Sequence, residues 1–403
     1  MEVIHKKEES LTIYGGRPVR ETLLPYGHQQ IDNDDINAVI EVLRSDWITT
    51  GSKVAEFEEG FAAYVDSKYA VSFSSGTAAL HGASFAAGLG PGDEAITTPM
   101  TFCATANCVL YQGAKPVFAD VCKDTLNIDP DEVKRHITQH TKAVLPVDYA
   151  GHPADLHPIL ELAERHGLIV IEDACHALGA QYRGKRLGSI SHMTVFSFHP
   201  VKHITTGEGG MVTTDDADFA QRLRLFRNHG IDSDARERQA NGHWCYEMVA
   251  LGYNYRLTDI GCALGISQLR KLEANLARRR EIANQYTAAF QEIPGVVPPT
   301  VRPGVNPAWH LYPIRLDLAK VRVGRSEIFR ALRAEGLGVN VHYIPVHLHR
   351  YYRDQFGYRG GEYPVAERAY EKLISLPIFH RMRDQDIDDV IEAVTKVMEY
   401  HTV

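Results

Sequence analysis

The sequence has no apolar run approaching the roughly eighteen residues that a membrane span needs. Its opening, MEVIHKKEES, is charged and has no apolar centre, so it does not read as a secretory signal. Cysteine is sparse. Cys103, Cys108, Cys122, Cys175, Cys245 and Cys262 are scattered and form no CxxC pair, which fits reduced thiols in a cytoplasm better than a disulfide framework or a zinc site. Basic charge is not in excess either: the formal net charge of −8 argues against a nucleic-acid binder. Internal repeats, low-complexity tracts and long linkers are also missing. What remains is a chain of 403 residues, 44% hydrophobic and 23% charged, ordinary for a soluble enzyme and long enough that two domains are the default.

Residues 1–22 read as an arm. From Asp32, the apolar residues Ile36, Val39, Ile40 and Leu43 recur at helical spacing, with Asp32 able to cap the start. Then short apolar runs alternate with helical stretches: YAVSFSS, EAITTP, KPVFAD, KAVLPVDY and GLIVIED read as strands, and ELAERHG as a helix. That alternation predicts an α/β fold with a largely parallel sheet covered on both faces, whose chemistry gathers at the carboxyl ends of the strands. A long helix is expected from Thr258 to about Ile293. Beyond it HLYPIRL and LGVNVHYIP read as strands, RSEIFRALRAEG and QDIDDVIEAVTKVMEY as helices. The expected division is a large domain over 23–275 and a smaller α+β domain over 276–403.

Four segments carry candidate chemistry. SSGTAAL turns a strand into a helix through Gly76 and Thr77, leaving backbone N–H groups free for a phosphate, although a Ser cap alone explains the pattern equally well. Asp173 ends the run GLIVIED and can hold a pyridine nitrogen protonated, or merely cap the next segment. His176 can bond a ring hydroxyl or simply pack. In TVFSFHPVKHITTGEGGMV, Ser197 ends a strand and Lys202 lies five residues on, where desolvation can make an amine nucleophilic; a surface lysine is the plainer alternative. Asn254 and Arg256 precede a helix that Thr258 can cap. The histidines His342, His347 and His349 lack carboxylate or cysteine partners at ligand spacing, so no metal site is expected. Gly88-Leu89-Gly90-Pro91-Gly92 follows a helix and contains proline, so it is a loop rather than a dinucleotide fingerprint.

The order of these segments, SSGTAAL, PGDEAITTPMTFCATAN, EDACHALGA, FSFHPVKHITTGEGG and GYNYRLTDIGCALG, resembles the DegT/DnrJ/EryC1/StrS sugar aminotransferases over about residues 24–400. That resemblance implies the type I (aspartate-aminotransferase-like) fold and pyridoxal 5′-phosphate (PLP) as cofactor. It makes Lys202 the Schiff-base lysine, Asp173 the partner of the pyridine nitrogen and Phe102 a ring stacked on the cofactor. Gly76, Thr77 and Ser197 would hold the phosphate, His176 the ring oxygen in place of a commoner Gln. Asn254 would reach the phosphate of a neighbouring subunit, since the family's sites lie at a homodimer interface. L-glutamate is the implied amino donor.

DYAGHPADL, GYNYRLTDIGCALGISQLRKL and VNVHYIPVHLHRYY are similar to the aminotransferases of pseudaminic acid biosynthesis. Those enzymes aminate C4 of UDP-2-acetamido-2,6-dideoxy-β-L-arabino-hexos-4-ulose. By that similarity Tyr26, the loop Asp46-Trp47-Ile48-Thr49 and the segment Asn340-Val341-His342-Tyr343 would line a nucleotide-sugar site, with Trp47 and Tyr343 able to stack and His342 to pair with diphosphate. Packing at a subunit interface is the alternative for Trp47 and Tyr343. Other nucleotide-linked keto sugars are alternative substrates. A PLP-dependent sugar dehydratase is the nearest different activity, but related dehydratases carry histidine where this chain has Lys202.

Overall fold

The computed structural model describes residues 10–233, 238, 242 and 244–403. Helix α1 (Asn33–Leu43) starts at Asp32, whose carboxylate accepts from the amides of Asp34 and Asp35 while Asp35 answers the Asp32 amide, a full capping box. Helix α2 (Ser52–Val65) leads into the sheet. Its seven strands are β1 (Tyr69–Phe73), β2 (Glu94–Thr97), β3 (Lys115–Phe118), β4 (Thr141–Leu145), β5 (Ile169–Asp173), β6 (Met193–Ser197) and β7 (Gly210–Thr214). They lie in the order β1-β7-β6-β5-β4-β2-β3. Only β7 runs against its neighbours β1 and β6; the other pairs are parallel.

Helices α3 (Gly76–Ala86), α4 (Ala104–Tyr111) and α6 (Ala217–Arg227) cover one face, and α5 (Leu156–His166) lies between β4 and β5 in the chain. Side chains alternate between cores as the pleat requires. Val71, Val195 and Val212 enter the core beneath α3 and α6, while Ala70, Phe196 and Met211 enter a second core with Phe57 and Phe61 of α2.

The expected helix from Thr258 to Ile293 is two helices, α7 (Asp259–Arg270) and α8 (Leu272–Phe290). They part at Lys271, whose amine is held by Asp32 at 2.7 Å and Asp35 at 2.8 Å. Thr258 caps α7, accepting from the Gly261 amide at 3.2 Å. Along α8 the packing changes: Leu272 and Leu276 join the core with α2, whereas Ile282, Ala283, Tyr286 and Phe290 join that of the C-terminal part. There β8 (Val296–Val297), β9 (Tyr312–Leu316) and β10 (Leu373–Leu376) form an antiparallel sheet, covered by α9 (Arg325–Ala334) and α10 (Asp384–His401).

LGVNVHYIP, expected as a strand, pairs through two isolated bridges, Leu337 to Leu24 and Asn340 to Ser375. Beyond them the chain leaves the sheet, and the polar groups of His342 and Tyr343 bond to side chains instead of extending the ladder. Of the N-terminal arm, residues 1–9 lie outside the described residues, and the rest is built into the C-terminal core. Leu11 is fully buried there. Glu335, also fully buried, accepts from the amides of Thr12 (2.9 Å) and Val19 (3.1 Å) and from Lys396 Nζ (2.8 Å). Removing that carboxylate takes the acceptor from two amides and leaves the Lys396 amine, of these two partners, only the Arg17 carbonyl. Glu335→Ala is therefore expected to cost about 3 kcal/mol in urea unfolding and to raise amide exchange across residues 10–24; unchanged exchange there would contradict the anchoring role.

Candidate active site

Parallel pairing of β5 with β6 sets Asp173 opposite Val195, two residues before Ser197, so both polar side chains emerge at one edge of the sheet. Helix α3 begins at the same edge, with Ser75 as its cap accepting from the Ala78 amide at 3.1 Å. The amides of Gly76 and Thr77 thus open the helix, where N–H groups have no partner within it. The space is tight. A Cβ on Gly76 would stand 2.9 Å from Ser197 Cβ, and one on Gly210 would stand 2.5 Å from the Ser75 carbonyl oxygen. Glycine at both positions leaves the gap between Ser75, Ser197 and the helix end.

Asp173 is buried and held from two sides: Oδ2 accepts from the Thr105 hydroxyl at 2.6 Å, Oδ1 from the Cys175 amide at 3.2 Å. The second contact is the local cap foreseen as its plainer role, and it coexists with the first. Phe102, one residue from the N-cap of α4, remains 56% exposed, with its ring 6.2 Å from that of Tyr343. One face is thus free to stack on a ligand.

Lys202 is partly accessible, and its Nζ lies 3.4 Å from Nε2 of His310. Burial of the amine, reinforced by Arg279 and opposed by Cys175 and Asp173, brings its pKa down to about 8. Around it His176, His203 and His310 have pKa values pushed well below the usual range, by burial first and by Lys202 among the neighbouring charges. They are neutral near pH 7 and place no competing cation beside the lysine. His176 Nε2 bonds the Tyr343 hydroxyl at 2.8 Å, and its ring lies tilted against that of His310 at 4.5 Å between centroids.

The segment 340–343 therefore reaches the lysine through Tyr343. Tyr26 lies against His342 at 5.4 Å between ring centroids, and Val341 is tied to Asn340 Oδ1 at 2.8 Å. His342 is less suited to diphosphate than the sequence suggested. Its Nδ1 bonds Ser375 Oγ at 2.9 Å, Asn340 Nδ2 lies 3.4 Å from its Nε2, and burial lowers its pKa to about 4. It acts as a neutral brace. The loop residues Asp46, Trp47, Ile48 and Thr49 are exposed and are tied to the start of α7: Ile48 accepts from the Asp259 amide at 3.1 Å, and Thr49 bridges Thr258. Asn254 is exposed just before α7, its backbone bridged to Asn228. Among the described residues, the hydrogen bond of the Lys202 amine runs to His310 and not to any of these five.

Sequence reasoning missed Thr105, His310 and Arg279. Thr105 stands inside the motif TFCATAN, three residues after Phe102, and could have been found there. His310 gave no signal, being 108 positions from Lys202. Nor did sequence spacing foresee carboxylates near His347. The fold sets Glu367 Oε1 3.0 Å from its Nε2, with Glu362 close by. Glu367 also accepts from the amides of Gly361 and Tyr363, so it organises that turn.

The model of the DegT/DnrJ/EryC1/StrS aminotransferase family matches residues 29–395. The chain belongs to this family. It is 46% identical over 382 residues to the spore coat polysaccharide biosynthesis protein SpsC of Bacillus subtilis, covering 94% of this chain and 98% of that one. Among solved structures it is similar to Helicobacter pylori PseC, an aminotransferase involved in the biosynthesis of pseudoaminic acid (33% identity, TM-score 0.87, 94% of this chain and 100% of that one). It also matches the Streptococcus pneumoniae sugar aminotransferase Spr1654 in its PMP form (32% identity, TM-score 0.88, 94% and 99% coverage); that protein's PLP form matches as well. The chain is a PLP-dependent sugar aminotransferase of type I fold.

The residues present fit the cofactor. His176 and His310 each keep a buried Nδ1 without a partner, the helix end is open, and Gly76 leaves a gap that a Cβ would fill. Lys202 would hold PLP covalently through Nζ, Asp173 its ring nitrogen, and α3 with Ser197 its phosphate. When bound, PLP supplies the electron sink and the carrier for the amino group. The chain's own part is acid–base work: an amine with lowered pKa attacks and moves protons readily, and neutral His310 can accept a hydrogen bond from it and orient it. Capture of PLP by the cofactor-free protein should quicken as pH rises to about 8 and level off above it, because the neutral-amine fraction then saturates. Stopped-flow absorbance reads this; a rate still climbing through the ordinary lysine range would contradict the lowered pKa.

Proposed function

We propose that the enzyme aminates C4 of UDP-2-acetamido-2,6-dideoxy-β-L-arabino-hexos-4-ulose, giving UDP-4-amino-4,6-dideoxy-N-acetyl-β-L-altrosamine with L-glutamate as donor. The observation that carries this reading is the meeting of the 340–343 segment with the lysine. VNVHYIPVHLHRYY is one of the three stretches similar to the pseudaminic acid enzymes, and its Tyr343 bonds His176 beside His310 and Lys202. The likeness to PseC supports it. The 46% identity to SpsC, a spore coat polysaccharide protein, favours a second reading in which another 4-keto nucleotide sugar is the acceptor. Product analysis with the L-arabino substrate and its D-xylo epimer decides. Conversion of the L-arabino compound alone is expected, and turnover of only the epimer would transfer the assignment to the second reading.

The reading includes a homodimer with shared sites. Trp47, Ile48, Tyr253, Leu251, Met248, Val249 and Trp244 expose large apolar surface on the stretches that carry the 46–49 loop and Asn254, which suits cover by a second copy. On this arrangement a mixture of Lys202→Ala and Asn254→Ala subunits forms hybrids with one intact site. Such a mixture should regain activity that neither variant shows alone; no recovery after verified subunit exchange would place Asn254 in its own chain's site.

A further inference from the structure

Two carboxyl groups lie directly behind Asp173, and the chemistry of the lysine site leaves them without a task. Asp148 and Glu172 are both fully buried. Glu172 precedes Asp173 in β5 and pairs with Thr194 of β6. Asp148 lies beyond β4, and its amide donates to the Asp173 carbonyl oxygen at 3.1 Å. One oxygen of each acid is accounted for: Asp148 Oδ1 accepts from the Ala154 amide at 2.8 Å, and Glu172 Oε2 from the Thr194 hydroxyl at 3.0 Å. The other two, Asp148 Oδ2 and Glu172 Oε1, are sealed from solvent and have no partner at hydrogen-bonding geometry among the described residues, although the Ser191 hydroxyl, itself without one, lies near Glu172. Yet the two side chains lie within hydrogen-bonding reach of each other. The charged groups acting on the pair are its own members and Asp173, with no cation among them, and the Cys175 thiol also faces Asp148. Two dry carboxylates in contact would repel, and each orphaned oxygen would forfeit a hydrogen bond. One proton removes both costs.

We propose that Asp148 is a neutral carboxylic acid whose Oδ2–H donates to Glu172 Oε1, and that this shared proton makes the pair a positioning device for Asp173. It ties the ends of β4 and β5 together and leaves only one negative charge behind the residue that would face the ring nitrogen. The surroundings decide which acid keeps the proton. Burial, then Glu172, pushes the Asp148 carboxyl well above the usual carboxylate range. Burial raises Glu172 too, but the hydroxyls of Ser191 and Thr194 and Asp148 itself offset that rise.

The role toward Asp173 rests on the cofactor reading; the shared proton does not. Infrared spectroscopy of the PLP-loaded enzyme reads the proton directly. Wild type is expected to show a carboxylic-acid carbonyl band at neutral pH that Asp148→Asn lacks. The side-chain amide that this substitution introduces donates to the same Glu172 oxygen, so the variant keeps kcat, KM and the visible spectrum within about threefold. Asp148→Ala removes the donor and weakens PLP retention and kcat by about tenfold. Relative to wild type, Asp148→Asn should also gain stability as pH rises above the ordinary carboxylate range. There the folded wild type must hold a proton that its unfolded chain has released. Absence of the band in wild type, or an Asp148→Asn enzyme as impaired as Asp148→Ala, overturns the proposal. If Asp148→Asn does not fold, persistence of the wild-type band above the carboxylate range still supports the shared proton, and its loss there refutes it. Full activity of Asp173→Asn with the band intact would instead sink the reading of Asp173 and leave the shared proton standing.

Discussion

The hydrogen bonds that join the ends of β4 and β5 hold the reactive edge together. Asp173 donates its amide to Pro146 and accepts the Asp148 amide, while its carboxylate is gripped by Thr105 from the start of α4. Parallel pairing with β6 then fixes where Ser197 emerges, and the chain beyond it carries Lys202 toward His310. A slip of one residue in that pairing would turn Asp173 to the opposite face. The edge also gathers the opening of α3, because β7 runs antiparallel and starts with Gly210 against Ser75.

Burial keeps the histidines around Lys202 from adding positive charge beside it. His176, His203, His310 and His342 are neutral near pH 7, and burial likewise favours the neutral form of the lysine, against the pull of Asp173. Arg279 is fully buried, with Nη1 directed at the carbonyls of Trp309, His310 and Ile378. One side chain of α8 thereby fastens the 309–310 turn and the chain after β10 to the helix that runs between the two cores. The C-terminal part, with its buried N-terminal segment, supplies Tyr343 and His310 to chemistry that begins on the large sheet.

Much of this was legible because it is local. A cap before Gly76, a carboxylate closing an apolar strand and a lysine five residues after Ser197 are readable from short stretches, since strand ends and helix starts are set by near neighbours. Thr105 and Asp173 are 68 positions apart, and only the sheet brings them together. The alternation in LGVNVHYIP mimics a strand, yet those polar groups bond to side chains around the site. The division of the long helix at Lys271 was hidden for the same reason, since its partners Asp32 and Asp35 lie far back in the chain.

The sequence by itself determined the fold class, the family and the order of the candidate site residues, because periodicity, turn chemistry and motif order are written in contiguous residues. Only the tertiary structure decided that Lys202 meets a neutral histidine, that His342 is a brace, and that Asp148 and Glu172 each keep a buried oxygen without a partner at bonding geometry among the described residues. Those outcomes depend on burial and on contacts between distant segments. Desolvation acts on a group through everything packed around it, and no stretch of sequence contains that.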